Sequence, residues 1–126
     1  VTIGAHTTNH YPLNTLPESG VKLEIMDSKK RLESELSCPI EHFAYPFGTR
    51  NEVGEREFRI VKDSGFKTAT TTRCGNIFPE HRHHMECLPR NDISGQHVGR
   101  NVNYLNLWVD GTIPCLMNKF ERVITT

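Results

Sequence analysis

Two histidines four positions apart carry the clearest chemical signal in the chain. His6 and His10 follow the apolar segment 1–4, which has the pattern of a strand end. On one helical turn this spacing points both imidazoles in the same direction, which suits two ligands of one metal ion. The carboxyl ends of strands are also where α/β sites gather. The sequence predicts a metal-binding pair here, and two solvated loop histidines are the alternative.

A Pro-aromatic-Gly turn is the second candidate. Pro46, Phe47 and Gly48 follow the apolar segment 42–45. Such a turn fixes the backbone, and the Phe47 amide can then point into a site as an oxyanion donor. The alternative is an ordinary turn between a strand and a loop.

Arg90 is the third candidate, because Leu88 and Pro89 close a predicted strand just before it. From that position a guanidinium can orient a carboxylate through two parallel hydrogen bonds. A surface arginine without a functional role is the alternative.

Two thiols and three imidazoles also fall within fourteen residues: Cys74, His81, His83, His84 and Cys87. Side chains of these types can hold a structural Zn²⁺. Their spacing matches no standard zinc motif, and a polar surface loop is the alternative.

The segments that must position these residues alternate between helix and strand patterns. Apolar periodicity predicts helices over residues 17–36 and 52–63. In the first, Leu23 and Met26 set a 3–4 spacing, and four residues fill the apolar stripe: Val21, Ile25, Leu32 and Leu36. Strands are predicted to end near four residues: Gly4, Tyr45, Thr72 and Leu88. This alternation predicts an α/β fold with parallel strands and crossover helices.

The second half of the chain gives weaker signals. Residues 73–85 are predicted as a long loop, 86–88 as the start of a short strand, and 91–100 as turn-like. Residues 102–109 fit a helix or a strand, and residues 113–123 have a helical pattern.

Length and charge exclude several classes of protein. The 126 residues indicate one domain, and 15 Lys and Arg balance 15 Asp and Glu. A net charge of zero argues against a nucleic-acid partner and against a polybasic membrane-surface protein. No apolar run approaches the ~20 residues that span a bilayer. The four cysteines are widely spaced and leave the redox compartment open, so that both the cytoplasm and the cell envelope are compatible with the sequence.

Taken together, these stretches resemble the polysaccharide deacetylase family, also called NodB-homology or carbohydrate esterase family 4 proteins. Residues 6–10 match the family's His-Ser/Thr-x-x-(x)-His metal motif, and residues 43–48 match its aromatic-Pro-Tyr/Phe-Gly motif. Glu24-Ile25, Ser28-Lys29 and Leu32-Glu33 resemble the helix that joins the two motifs in one subgroup. Residues 64–69 resemble the entry to the family's next strand, and residues 88–90 resemble the end of a later strand. All these stretches follow the order in which the family has them.

The resemblance implies a fold, a reaction and a metal. The fold is a distorted (β/α) barrel, and the reaction is hydrolysis of N-acetyl or O-acetyl groups on a polysaccharide or oligosaccharide. A divalent metal, most often Zn²⁺, is held by two His and one Asp, and a second Asp acts as base. By this resemblance His6 and His10 are metal ligands, Tyr45, Pro46 and Phe47 line the substrate, and Phe47 donates its amide to the oxyanion.

The chain departs from the family pattern in three ways. It contains no Asp-Asp pair, although both family aspartates belong to one Thr-Phe-Asp-Asp-Gly motif. We therefore expect residues 1–126 to be a single partial domain, the C-terminal portion of a deacetylase, with the third ligand upstream and little activity alone. Ala44 replaces an Arg that orients the base in many members, and Arg90 is a spatial substitute. The late Leu-x-His acid motif is not evident, and His97 is the only later histidine.

Two other functions remain open at this point. One is a non-catalytic carbohydrate-binding or scaffolding member of the same fold. The other is a small zinc-stabilised interaction domain that uses Cys74, His84 and Cys87. The expected partners are an acetylated polysaccharide or oligosaccharide, and either the N-terminal part of the same protein or a second copy paired along residues 1–4.

Overall fold

The computed structural model describes residues 1–92 and 102–124. Most of the segment 91–100, predicted as turn-like, and with it His97, lies outside the described residues. Within the described ranges, no helix has the length and apolar character that crossing a membrane requires.

Parallel pairing organises the centre of the molecule. Strand β1 (His42–Ala44) pairs in parallel with strand β2 (Thr68–Thr70), with Phe43 opposite Ala69. Single parallel bridges extend this sheet on both sides, from Ala5 to Phe43 and from Thr70 to Leu88. Four chain segments thus run side by side in the same direction, and the predicted parallel arrangement is confirmed.

The outer two segments are shorter than predicted. Only Ala5 pairs at the N-terminal side, where its amide donates to His42 O at 2.8 Å and its carbonyl accepts from Ala44 N at 2.9 Å. On the other side, Met85–Cys87 forms a 3₁₀ helix. The prediction that a strand begins at residue 86 is therefore wrong. Leu88 alone continues the sheet, and Pro89, which has no amide proton, follows it directly.

Helix α1 (Glu18–Leu36) covers the sheet and follows its predicted bounds closely. It begins after Pro17 and ends where Ser37 takes the left-handed conformation, at φ 51°. Val21 and Ile25 are buried as predicted, but Leu23 is 62% exposed. Two positions turn a helix by about 200°, so Leu23 points away from the face of Val21 and Ile25, and the 3–4 spacing that starts at Leu23 does not mark the buried face. Leu36, predicted to belong to the apolar stripe, is 40% exposed at the end of the helix, so that prediction is wrong.

Helix α2 (Glu55–Asp63) lies between the two strands in the chain. It starts three residues later than predicted, because Gly54 is the N-cap and its amide donates to Glu57 Oε2 at 2.8 Å. Its inner face buries Phe58, Ile60 and Val61. Each of the two strands is therefore preceded by a helix, which fits the crossover arrangement.

Aromatic rings fill the layer between the sheet and the helices. Tyr45 packs edge-on against Phe43 and Phe58, with ring centroids 5.1 and 5.5 Å apart. Phe66 lies 5.3 Å from Phe43 on the same layer. These contacts fix the ends of β1 and β2 relative to each other, and therefore also the loops that follow them.

The remaining segments are short helical turns. Residues 102–109, for which the sequence fits a helix or a strand, form helix α3 (Val102–Val109). Helix α4 (Thr112–Met117) ends six residues before residue 123, the predicted end of the last helix. Lys119 and Phe120 have φ values of 52° and 67°, which cannot continue a right-handed helix. Within the segment predicted as a loop, Pro79–His83 forms a 3₁₀ helix.

Candidate functional site

His6 and His10 lie side by side where Ala5 leaves the sheet. Their ring centroids are 4.8 Å apart and their planes are inclined by 69°. Both side chains are exposed. The short loop between them therefore brings together two imidazoles with access from solvent.

The hydrogen bond of His6 fixes which ring nitrogen is available. Its Nδ1 lies 2.8 Å from the carbonyl oxygen of Ala44, at the end of β1. A carbonyl oxygen can only accept, so Nδ1 carries the proton and Nε2 keeps its lone pair. Metal-binding histidines are commonly oriented in this way, with the second nitrogen bonded to a backbone carbonyl.

Left-handed backbone conformations shape the loop between the two histidines. Thr7 and His10 have φ values of 61° and 58°, in a region that residues with a side chain seldom occupy. The His10 amide donates to Thr7 Oγ1 at 3.1 Å, which closes the loop. Such conformations cost on the order of 1–3 kcal/mol each and cluster at functional sites.

The carboxylate of Glu24 holds this loop from helix α1. Its Oε2 accepts hydrogen bonds from the amides of Thr8 and Asn9, at 3.0 and 2.8 Å. Its Oε1 accepts from Asn9 Nδ2 at 2.5 Å. Burial by itself raises the pKa of Glu24, but the hydrogen bonds from Asn9 and Thr8 outweigh it, and the pKa is lowered.

Phe47 faces the histidine pair from the turn after β1. Its ring centroid lies 5.0 Å from that of His10, and its side chain is 49% exposed. Its φ of 59° is again left-handed, and Thr72 Oγ1 donates to its carbonyl. No acceptor in the described part of the chain takes the Phe47 amide, so this N–H remains available to a ligand.

Tyr45 and Pro46, the other two residues of the predicted substrate-lining set, lie beneath the turn. Both are buried, and the Tyr45 hydroxyl donates to Glu86 O at 2.7 Å. Burial raises the pKa of Tyr45. In this structure Tyr45 and Pro46 support the turn, and Phe47 is the exposed member of the three.

Arg90 is exposed, and its amide donates to Arg73 O at 2.9 Å. A second arginine, Arg73, follows β2 and is buried. Its Nη2 donates to Val53 O at 2.7 Å, and its guanidinium carbon lies 4.9 Å from the Phe58 ring centroid. Burial lowers the pKa of Arg73.

The candidate zinc cluster of the second half does not form. Among the described residues, no three His, Cys, Asp or Glu side chains meet as a metal-binding group. Cys74 Sγ lies 3.4 Å from Asn91 Oδ1, and Cys87 Sγ lies 3.5 Å from Ile124 O. Burial raises the pKa of both thiols. The three-ligand zinc site that this alternative requires of Cys74, His84 and Cys87 is therefore not formed among the described residues.

A cavity of about 680 Å³ opens beside the Pro-Phe-Gly turn. It begins at Thr49 and Arg50, directly after Gly48, and reaches Asn118 and Lys119 beyond α4. Most of its lining is polar, but Phe47, His6 and His10 do not line it, so the cavity lies apart from the histidine pair.

Parallel strands with crossover helices, and a histidine pair where Ala5 leaves the sheet, define an α/β protein with a candidate site at the sheet edge. The model of the family described as polysaccharide deacetylase matches residues 1–69, more than half of the chain. The chain belongs to the polysaccharide deacetylase family.

Solved structures share the fold of this chain. The Streptococcus pyogenes deacetylase PplD in complex with acetate is 24% identical, with a TM-score of 0.68 over 79% of this chain and 42% of that one. The polysaccharide deacetylase BC0361 from Bacillus cereus is 23% identical, with a TM-score of 0.68 over 86% of this chain and 32% of that one. The chain thus spans less than half the length of either structure. None of the curated proteins gives a significant match.

Proposed function

We propose that this protein is a metal-dependent hydrolase that removes N-linked or O-linked acetyl groups from a polysaccharide or oligosaccharide. The observation that carries the proposal is the pairing of His6 with His10 at the sheet edge, with His6 Nε2 left free by the bond to Ala44 O. Membership of the polysaccharide deacetylase family supports the substrate class. The related streptococcal structure holds acetate, the product that this reaction would release.

The donor set suits a divalent ion, with Zn²⁺ as the first choice. His6 and His10 would be two ligands, and an Asp, which the family resemblance implies lies upstream of this chain, would be the third, because catalytic zinc sites take three protein ligands. When bound, the metal supplies a Lewis acid for the acetyl carbonyl and a water of lowered pKa. Since the described residues offer only the two histidines, we expect this chain alone to show little turnover.

The residues of the turn after β1 would recognise the acetyl group. The free amide of Phe47 would donate to the carbonyl oxygen as negative charge develops on it. Thr72 Oγ1 donates a hydrogen bond to the Phe47 carbonyl oxygen and so restrains the turn. The Phe47 amide would therefore be oriented before the substrate binds. The exposed Phe47 ring would pack against the sugar.

Acetate release from an N-acetylated chito-oligosaccharide tests the proposal, with the complete gene product that contains this chain. His6→Ala and His10→Ala should each reduce turnover on the order of 100-fold or more, because the metal supplies several kcal/mol of transition-state stabilisation. His83→Ala is the matched control, an exposed histidine on the 3₁₀ helix Pro79–His83, and should change turnover less than twofold.

Two results would contradict the proposal. Unchanged turnover in the two variants would remove the histidine pair from the reaction. A protein that binds the oligosaccharide without releasing acetate would indicate the non-catalytic carbohydrate-binding alternative, which the replacement of the family's Arg by Ala44 favours.

A further inference from the structure

Glu24 is an unusual residue for the middle of a helix. It is only 8% exposed and shares the inner face of α1 with Val21, Ile25 and Ser28. A buried carboxylate is costly unless its charge is compensated. Within residues 1–92 and 102–124 no Lys or Arg forms an ion pair with Glu24, and its compensation comes from N–H groups of the histidine loop instead.

All three donors belong to Thr8 and Asn9, two of the three residues between the histidines. The backbone amides of Thr8 and Asn9 both donate to Glu24 Oε2, and Asn9 Nδ2 donates to Glu24 Oε1. Hydrogen bonds to a charged acceptor are about twice as strong as neutral ones. The carboxylate therefore bridges the rigid helix and a loop whose backbone is left-handed at both Thr7 and His10.

We propose that Glu24 is a positioning residue that pre-organises the loop from His6 to His10 for metal binding. The idea rests on the proposed metal site. Without the carboxylate, the Thr8 and Asn9 amides lose their acceptor, and the left-handed residues beside them are free to relax. The two imidazoles would then sample many separations, and bringing them onto one ion would cost the ordering of the loop.

Other roles for Glu24 fit the contacts less well. Both carboxylate oxygens of Glu24 are engaged by N–H groups of Thr8 and Asn9, and among the described residues Glu24 does not form a three-ligand group with His6 and His10. A general base needs a raised pKa, whereas hydrogen bonds to the charged form lower that of Glu24. The contacts are those of an anchor for the loop.

Imidazole NMR of the 126-residue chain during a Zn²⁺ titration measures the effect at the site itself. Glu24→Gln keeps the size of the side chain but removes its charge and replaces one acceptor oxygen with an NH2 group, so the N–H groups of Thr8 and Asn9 lose their charged acceptor. We expect the zinc dissociation constant reported by the His6 and His10 resonances to rise about 10–100-fold, as when outer contacts of a metal ligand are removed. Glu35→Gln, at an exposed position of the same helix, should change it less than twofold.

Hydrogen exchange of the Thr8 and Asn9 amides gives a second readout that needs no metal. Exchange should become at least tenfold faster in Glu24→Gln and stay unchanged in Glu35→Gln. If Glu24→Gln does not fold, Asn9→Ala, which removes one donor at an exposed loop position, should show the same changes to a smaller degree. Glu24→Asp should recover part of the protection.

The outcomes separate the two proposals. A folded Glu24→Gln variant with unchanged amide exchange and unchanged zinc affinity overturns the role of Glu24. A wild-type chain whose His6 and His10 resonances do not respond to Zn²⁺ contradicts the proposed function. In that case the amide exchange rates and the imidazole chemical shifts of the metal-free proteins still test whether Glu24 orders the loop. Values that are the same in Glu24→Gln and in the wild-type chain would reject this role of Glu24.

Discussion

The Nδ1 of His6 lies 2.8 Å from the carbonyl oxygen of Ala44, so the neighbouring strand orients the first histidine of the site. This contact joins residues 38 positions apart and depends on the parallel bridge between Ala5 and Phe43. The sheet thus determines both the position of the imidazole and its protonated nitrogen. Changes that disturb the sheet edge are therefore expected to affect the site.

Gly48 is the first position where this dependence can be tested. Its φ is 67°, and a Cβ there would lie 2.8 Å from Thr72 N. Gly48→Ala should therefore lower the free energy of unfolding by roughly 1–3 kcal/mol and displace the Phe47 turn. The urea midpoint measures this. Gly20→Ala is the control, because Gly20 lies inside α1 with only van der Waals neighbours, and the change should be neutral or stabilising. An unshifted midpoint in Gly48→Ala would show that the turn tolerates a side chain.

Cys87 should make stability depend on pH above neutrality. Burial raises the pKa of its thiol to about 11, with Glu86 adding to the rise. A raised pKa contributes stability that is complete below the unfolded value near 8.5 and is lost as the pH rises toward the folded value. The free energy of unfolding should fall by about 1–2 kcal/mol between pH 8 and pH 10.

The pH dependence has a matched control in the same chain. Cys38 is exposed, so Cys38→Ala should keep the slope of stability against pH, whereas Cys87→Ala should flatten it. Denaturant titrations at a series of pH values give both slopes. Equal slopes for the two variants would mean that the Cys87 thiol does not carry the effect.

The sheet edge at residues 1–5 predicts association. Val1 is fully exposed and Ile3 is 45% exposed, and Ala5 bonds to β1 on one side only within the described residues. Unpaired edges tend to recruit another strand. We expect the isolated chain to self-associate at micromolar concentration, or to bind the N-terminal part of the protein when both are present.

Light scattering can locate this association. Ile3→Lys should shift the chain toward monomer, because a charged edge disfavours pairing. Leu23→Lys, on the 62% exposed outer face of α1, should leave the mass unchanged. A wild-type chain that is monomeric and unfolds cooperatively would refute the edge argument.

Local signals explain what the sequence could predict. Helices α1 and α2 follow from periodicity, and their ends follow from Ser37 and from Ser64 with Gly65, whose φ is 74°. The parallel order of the four segments follows from the alternation of elements. The face of Leu23 was misjudged because several overlapping 3–4 patterns fit the same sequence.

Long-range contacts explain what the sequence could not. The 5.0 Å approach of Phe47 to His10 depends on the packing of the whole sheet, and no local spacing encodes it. Glu24 was not identified as a site residue, because a helical Glu normally faces solvent. Its position on the same face as the apolar residues Val21 and Ile25 was the signal that could have found it.

Metal removal and restoration tests the central claim most directly. The complete gene product that contains this chain is treated with a chelator, dialysed and assayed for acetate release from an N-acetylated chito-oligosaccharide, before and after addition of Zn²⁺. The account predicts that release stops without metal, returns with Zn²⁺, and does not return in the His6→Ala, His10→Ala double variant. Full acetate release from the metal-free protein, or equal restoration of the double variant, would contradict a metal-dependent deacetylase site at the histidine pair.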